Sequence, residues 1–191
     1  MKQGRKSEFD GANTFMIIWL NGCFGVGKTA TATMLHKLIA NSHIYDPEQV
    51  GAFLWDNFPE PLKRKGDFQD IELWRKINYE YIEYMYRNFD GHIIIPMTIV
   101  NSNYYQEIIG KLQEKGIEIR HYILLASKDV VIERLIHRGE EKESWAEKQI
   151  DRCIAAFDND ISGNRIDTNR MSIQKVAESI FRDCFPENQS N

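Results

Sequence analysis

No apolar run in this chain of 191 residues approaches the roughly 20 that a membrane-spanning helix needs; the longest, residues 15–20 and 93–100, stop well short. Basic character is equally scarce. The net charge is -4, and no segment combines dense lysine and arginine with interleaved aromatics, so nucleic acid is not an expected partner. The only cysteines, Cys23, Cys153 and Cys184, have no metal-ligand spacing, and an odd number without a secretory signal points to a reducing compartment. Residues 1–13 are polar and aperiodic, lack the apolar core of a signal peptide, and are expected to be a flexible leader. Residues 186–191 form a polar tail that offers no anchor. These absences predict a soluble, cytoplasmic protein with no stable membrane insertion. They leave the oligomeric state open, with a homodimer as the assembly considered. Nothing repeats internally, and 42% hydrophobic residues suffice for one core, so residues 14–185 are read as a single domain.

The informative presence is Gly22-Cys23-Phe24-Gly25-Val26-Gly27-Lys28-Thr29, which follows an apolar run and precedes the helix-like stretch that begins at Ala30. Glycine, four residues, glycine, lysine and threonine is the spacing of a phosphate-binding P-loop. Gly22, Gly25 and Gly27 let backbone N–H groups turn inward around a phosphate without Cβ collision. The anion then sits at a helix N-terminus, whose unpaired N–H groups and positive dipole end favour it. Lys28 is placed to reach the β- and γ-phosphates, and the Thr29 hydroxyl to ligate Mg²⁺. Within such a loop Cys23 reads as a small apolar filler.

Strand-like and helix-like segments alternate along the whole chain. Strands are expected at 15–20, 43–45, 92–95, 118–125 and 165–167. Helices are expected at 27–40, from Pro47 with Asp46 as its cap, and at 70–89, 102–115, 127–137, 144–157 and 172–181. Ser144 and Glu147 have the spacing of a capping box. The pattern predicts an α/β fold of three layers, a parallel sheet covered by helices on both faces, with ligands at the carboxyl ends of the strands.

Two P-loop classes fall away. A switch GTPase needs Asn-Lys-x-Asp to read guanine, and none occurs; a ring or motor ATPase needs a strand ending in an acidic pair, also missing. Small P-loop kinases remain. They close an arginine-bearing lid over the nucleotide, because charge developing in phosphoryl transfer must be neutralised in a water-poor site. Arg134 and Arg138, four apart at one helix end, and Arg152 are the candidates, with the lid at about 138–152; each could equally pair with nearby acids on a solvated face. Asp46 and Glu48, just after the second strand, lie where an acceptor hydroxyl approaches, and either could orient it or hold Mg²⁺ through water. Asp46 could equally be only a cap, and Glu48 a complement to the helix dipole. Trp74 and Arg75 on the long helix, and the loop basics Lys63, Arg64 and Lys65, are further candidates for acceptor contact, with core packing and surface charge as the alternatives.

Read together with Tyr45-Asp46-Pro47-Glu48, Leu73-Trp74-Arg75, Ile95-Pro96-Met97-Thr98-Ile99-Val100, Ala126-Ser127-Lys128 and Ser144-Trp145-Ala146-x-Lys148-Gln149-Ile150-Asp151-Arg152-Cys153, the P-loop makes the chain resemble the tunicamycin-resistance protein family over residues 16–181. The resemblance implies a P-loop kinase-like, ATP-binding fold with a five-stranded sheet ordered 2-3-1-4-5 and a helical lid, and a role in resistance to tunicamycin, a nucleoside antibiotic. It implies that Gly22, Gly25, Val26, Gly27, Lys28, Thr29 and Ala30 hold phosphate, that Arg134 and Arg138 correspond to lid arginines, and that Thr168 and Asn169 lie beside the adenine. One departure stands out. Many small kinases keep an acid near the end of the third strand, whereas here that strand runs into Pro96-Met97-Thr98. Two readings follow: an ATP·Mg²⁺-dependent kinase with Lys28, Asp46, Arg134 and Arg138 as its catalytic residues, acting on the drug or a related small-molecule acceptor, or a nucleotide-dependent protein that sequesters the drug without turnover.

Overall fold

The computed structural model describes residues 15–63 and 66–186. The expected leader, the end of the tail, Arg64 and Lys65 therefore lie outside the described residues. Five parallel strands, β1 (Ile17–Gly22), β2 (Ser42–Ile44), β3 (His92–Pro96), β4 (Ile119–Leu125) and β5 (Asn164–Asp167), form one sheet in the order β2-β3-β1-β4-β5. Continuous β-branched runs suit such strands, because both faces are covered. On β1, Ile18 and Leu20 point into the layer formed by α1 (Lys28–Leu38) and the closing helix Ile173–Cys184, where they meet Leu35, Val176 and Ile180. Ile17 and Trp19 point the other way, toward Trp74, Ile82 and Leu112. A one-residue slip of β1 would exchange the two sets.

The helix after β2, α2 (Glu48–Asn57), begins one residue later than expected. Pro47 holds the cap position, while Asp46 Oδ1 accepts the Glu48 N–H at 3.0 Å. The long helix α3 (Glu72–Asn88) is preceded by a separate 3-10 turn, Phe68–Asp70, whose Asp67 cap accepts the Gln69 N–H. The expected helix 102–115 is α4 (Ser102–Tyr105) and α5 (Lys111–Glu114) joined by a π-helical turn, Gln106–Gly110. That widened turn buries the successive residues Ile108, Ile109 and Gly110, which an unbroken 3.6-residue period would spread around the helix. After β4 comes α6 (Lys128–His137).

The lid segment departs most from expectation. Instead of one helix over 144–157 there are two, α7 (Trp145–Lys148) and α8 (Ile150–Asn159), because the last turn of α7 tightens to a Gln149 N–H···O Ala146 bond. Ser144 Oγ accepts the Glu147 N–H as a capping box requires, but the Glu147 carboxylate reaches back to the N–H of Glu143, not of Ser144. The last helix, α9 (Ile173–Cys184), closes the fold. No helix among the described residues is long and apolar enough to cross a membrane.

Candidate nucleotide site

The loop between β1 and α1 is held by bonds that leave its centre open. Gly22 has φ +140°, and a Cβ there would lie 2.5 Å from the backbone oxygen of Leu124, so only glycine fits beside β4. Asn21 is fully buried and works as a staple: Oδ1 accepts the N–H groups of Gly22 and Ile99, each at 2.9 Å, and Nδ2 donates to Ile99 O at 2.9 Å. His121 sits behind it. Burial pushes that imidazole down to about 4, so it is neutral, with Nδ1 donating to Ser162 O and Nε2 facing Asn21 Nδ2. Thr98 Oγ1 donates to Gly22 O at 2.8 Å. The neutral end of β3 thus grips the loop from the side where many kinases carry an acid. Neither Asn21 nor Thr98 figured among the candidate site residues; the only signal was a polar residue directly after one apolar run and another within the second.

Lys28 folds over the loop, donating from Nζ to Gly22 O at 3.0 Å and Cys23 O at 3.1 Å. Burial pushes its ammonium down to about 8, against the pull of the Glu48 carboxylate. Cys23 is buried beside Cys153, and hydrogen bonding to that thiol together with burial holds Cys23 protonated, which agrees with a filler and not a nucleophile.

A cavity of about 1100 Å³ opens above the loop, and Lys28, Thr29, Asp46, Glu48, Arg134 and Arg138 all line it. Gly25, Gly27, Ala30 and Asn169 also border it. The structure therefore brings together most of the residues singled out from sequence. Arg134 is anchored: Nη1 donates to Val26 O at 3.3 Å and Thr168 Oγ1 at 3.1 Å, and Nη2 to Thr168 O at 2.8 Å. Thr168 Oγ1 in turn donates to Leu125 O, and Asn169 Oδ1 accepts the Ser127 N–H, so both residues tie β5 to the end of β4. Burial and the neighbouring Asp46 push the Glu48 carboxyl above its ordinary range, while the Lys28 and Arg138 charges pull it back.

Three candidates stand elsewhere. Arg152 was expected as a lid arginine, on the same helix over 144–157 as Trp145. The break at Gln149 separates them: the Trp145 ring meets Phe24 of the loop edge-on at 5.0 Å, and Arg152 lies 3.7 Å from Asp67 in a second cavity. Trp74 is fully buried and donates from Nε1 to Pro47 O at 3.0 Å, a core residue with no face toward either cavity. Arg75 is engaged by Glu107 at 2.7 Å and Gln69 O at 2.6 Å and stacks on the Tyr104 ring. Of the loop basics, Lys63 pairs with Glu60 at 3.0 Å on the surface. The carboxylate missed from sequence is Asp67. It caps the 3-10 turn and is largely buried, and that burial raises its pKa against the hydrogen bonds from Gln69 and the charge of Arg152.

Sheet order, helical layers and loop define a three-layer P-loop kinase-like fold. Among solved structures the chain is similar to the Deinococcus radiodurans tunicamycin resistance protein, at 29% identity and a TM-score of 0.76, covering 90% of this chain and 96% of that one. The resemblance drawn from the motifs is thereby supported. A sugar kinase from Janibacter sp. superposes at 16% identity and a TM-score of 0.62, covering 88% and 93% of the two chains. The Mycobacterium tuberculosis APS kinase in complex with AMPPNP and APS does so at 15% and 0.59, covering 87% and 95%. These two share the fold alone. No family model matches the chain, and no curated protein matches it.

Proposed function

We propose that this protein is an ATP- and Mg²⁺-dependent phosphotransferase that modifies tunicamycin or a related nucleoside or sugar compound in the cytoplasm and so confers resistance to the antibiotic. The observation that carries this reading is the convergence of Lys28, Arg134 and Arg138 on one cavity above a glycine loop, with the Thr29 hydroxyl at the helix start. Three cations around one polyphosphate neutralise the charge that develops as a phosphoryl group moves. The similarity to the tunicamycin resistance protein supplies the acceptor class.

The residues present fit magnesium nucleotide. Among the described residues no cluster of three or more His, Cys, Asp or Glu could hold a metal alone. Mg²⁺ needs none, since it is commonly held by one or two protein oxygens together with substrate phosphates. Thr29 would supply one such oxygen, with Asp46 and Glu48 on the same cavity wall. Held there, the ion would supply positive charge to the phosphate being transferred. Asp46 serves two purposes at once: it accepts the Glu48 N–H and it faces the cavity, where its carboxylate can orient an acceptor hydroxyl.

The neutral end of β3 favours a second reading, in which the same pocket binds the drug and nucleotide without turnover. Incubation of the protein with ATP, Mg²⁺ and tunicamycin, followed by mass spectrometry of the drug, separates the two. A phosphate adduct is expected; tight, saturable drug binding without an adduct would establish sequestration instead.

A further inference from the structure

Behind the loop lies the second cavity, of about 290 Å³, between the β3–α4 turn, the Phe68–Asp70 turn and α8. Its volume is at the lower end of the range for small-molecule sites, which begins at roughly 300 Å³, and suits a single sugar-sized ring. Asp67, Asp70, Asn101, Tyr104, Arg152 and Asp160 line it. Hydrogen bonds join it to the nucleotide loop. Gln69, itself 4% exposed and part of the cavity wall, donates from Nε2 to Asp67 Oδ2 at 3.3 Å and to Thr98 O at 3.1 Å. Thr98 then donates to Gly22 O, which also receives Lys28 Nζ. The wall of this cavity is therefore continuous with the floor beneath Lys28.

The polar lining has a definite chemical bias. Asp67, Asp70 and Asp160 supply acceptor oxygens, whereas Arg152 and the Asn101 amide supply donors. A hydroxyl both donates and accepts, so a ring rich in hydroxyls can engage both kinds at once. Three carboxylates against one guanidinium leave an excess of negative charge. The nearby Arg75 does not offset it, being engaged by Glu107 and stacked behind Tyr104. An anionic ligand is repelled, and an ammonium is attracted.

We infer that this cavity is a second ligand site beside the nucleotide cavity, and that it takes an uncharged or ammonium-bearing polyhydroxyl ring in preference to an acidic one. The site stands apart from the phosphotransferase reading, since it shares no lining residue with the cavity that holds Lys28 and Asp46. Asp67 and Arg152, 3.7 Å apart, present an acceptor and a donor side by side that one ring hydroxyl can bridge from the cavity. The small side chains of Ala155 and Ala156 leave the room that a ring needs.

The test uses the full chain with Mg²⁺ and a non-hydrolysable ATP analogue, titrated by calorimetry with glucosamine, N-acetylglucosamine and glucuronate. Glucosamine and N-acetylglucosamine are expected to bind, and glucuronate at least about tenfold more weakly, the equivalent of one unfavourable charge contact. Arg152→Ala and Asp160→Asn should each weaken the first two by about tenfold while the analogue binds as before. Asp160 is exposed at the rim, so its variant keeps the test sound should a change at buried Asp67 or at Arg152 prevent folding. No binding of either amino sugar, equal binding of glucuronate, or unaltered binding in both variants would overturn the assignment. Failure of the wild-type chain to bind the nucleotide analogue would instead strike at the phosphotransferase reading. That result leaves direct sugar binding to decide the second site.

Discussion

Lys28 shows at the scale of one residue how burial and ligand chemistry interlock. Without phosphate its ammonium is satisfied by two carbonyls, and desolvation brings it down to about 8 from an ordinary value near 10.5. A bound polyphosphate stabilises the ammonium, so binding requires the proton to be present. Nucleotide affinity is therefore expected to hold below pH 8 and to fall as pH rises through it, by up to about tenfold per unit. Titration of a fluorescent ATP analogue from neutral pH upward checks this. Lys28→Arg, whose charge does not titrate there, should flatten the profile whatever its absolute affinity. Lys28→Ala should abolish binding in the same assay, and unchanged affinity would remove the loop from the nucleotide site. Asp46 is tested by Asp46→Asn, which keeps an oxygen for the Glu48 N–H and removes the charge. Stability should change by less than about 0.5 kcal/mol, while drug modification falls by about tenfold or more. A rate equal to wild type would reduce Asp46 to an acceptor for the Glu48 N–H.

At the scale of elements, the strand ends matter more than the strands. The β1 loop is gripped by the segment after β3 through Thr98 on Gly22 O and the Ile99 N–H on Asn21, by β4 through the close approach of Leu124 to Gly22, and by α6 through Arg134 on Val26 O. Thr98→Val keeps the shape and deletes one donor to a buried carbonyl. It should cost about 1 kcal/mol, lowering the melting temperature by about 2–4 °C in a chain of this size. Nucleotide affinity should fall with it if the hydroxyl positions the loop; a pure loss of stability with affinity unchanged would confine Thr98 to packing. The P-loop and the β/α alternation were legible because each rests on local rules: a fixed glycine spacing, β-branched runs, caps. The convergence of Lys28, Asp46, Glu48, Arg134 and Arg138 followed, since all lie at carboxyl ends of neighbouring strands or on the helices that leave them. Asp67 was not legible. It sits in a charged loop with no periodicity, and only the folding of that loop against α8 makes it a buried carboxylate. Arg152 was misplaced for the converse reason: a continuous helix was read through Gln149, and a single tightened turn redirected it by enough to move it between cavities.

For the molecule as a whole, the two cavities share one wall, and the segments that surround them differ in how firmly they are held. The sheet and the α1 and α9 layer form a closed apolar core, whereas α7 meets the loop through Trp145 on Phe24 and packs Ala146 in a small cluster with Val131, Leu135 and Ile150, and Trp145 remains 50% exposed. A nucleotide that bridges Lys28, Arg134 and Arg138 would join the loop to α6 and the lid, and so stabilise the folded state by its binding free energy. At a free concentration of about 100 times the dissociation constant this amounts to about 2.7 kcal/mol, a rise of about 5–11 °C in melting temperature at this size. Calorimetry with ATP and Mg²⁺ should show that rise, and EDTA should remove a large part of it if the Thr29 hydroxyl and the phosphates hold the ion together. Trp145→Ala should leave the ligand-free melting temperature nearly unchanged, because half of the side chain is already in solvent. It should nevertheless shrink the nucleotide-induced rise, because the contact that couples lid to loop is lost. A shift as large in Trp145→Ala as in the wild type would mean that the lid does not take part in holding the nucleotide, and that Lys28 and Arg134 hold it alone.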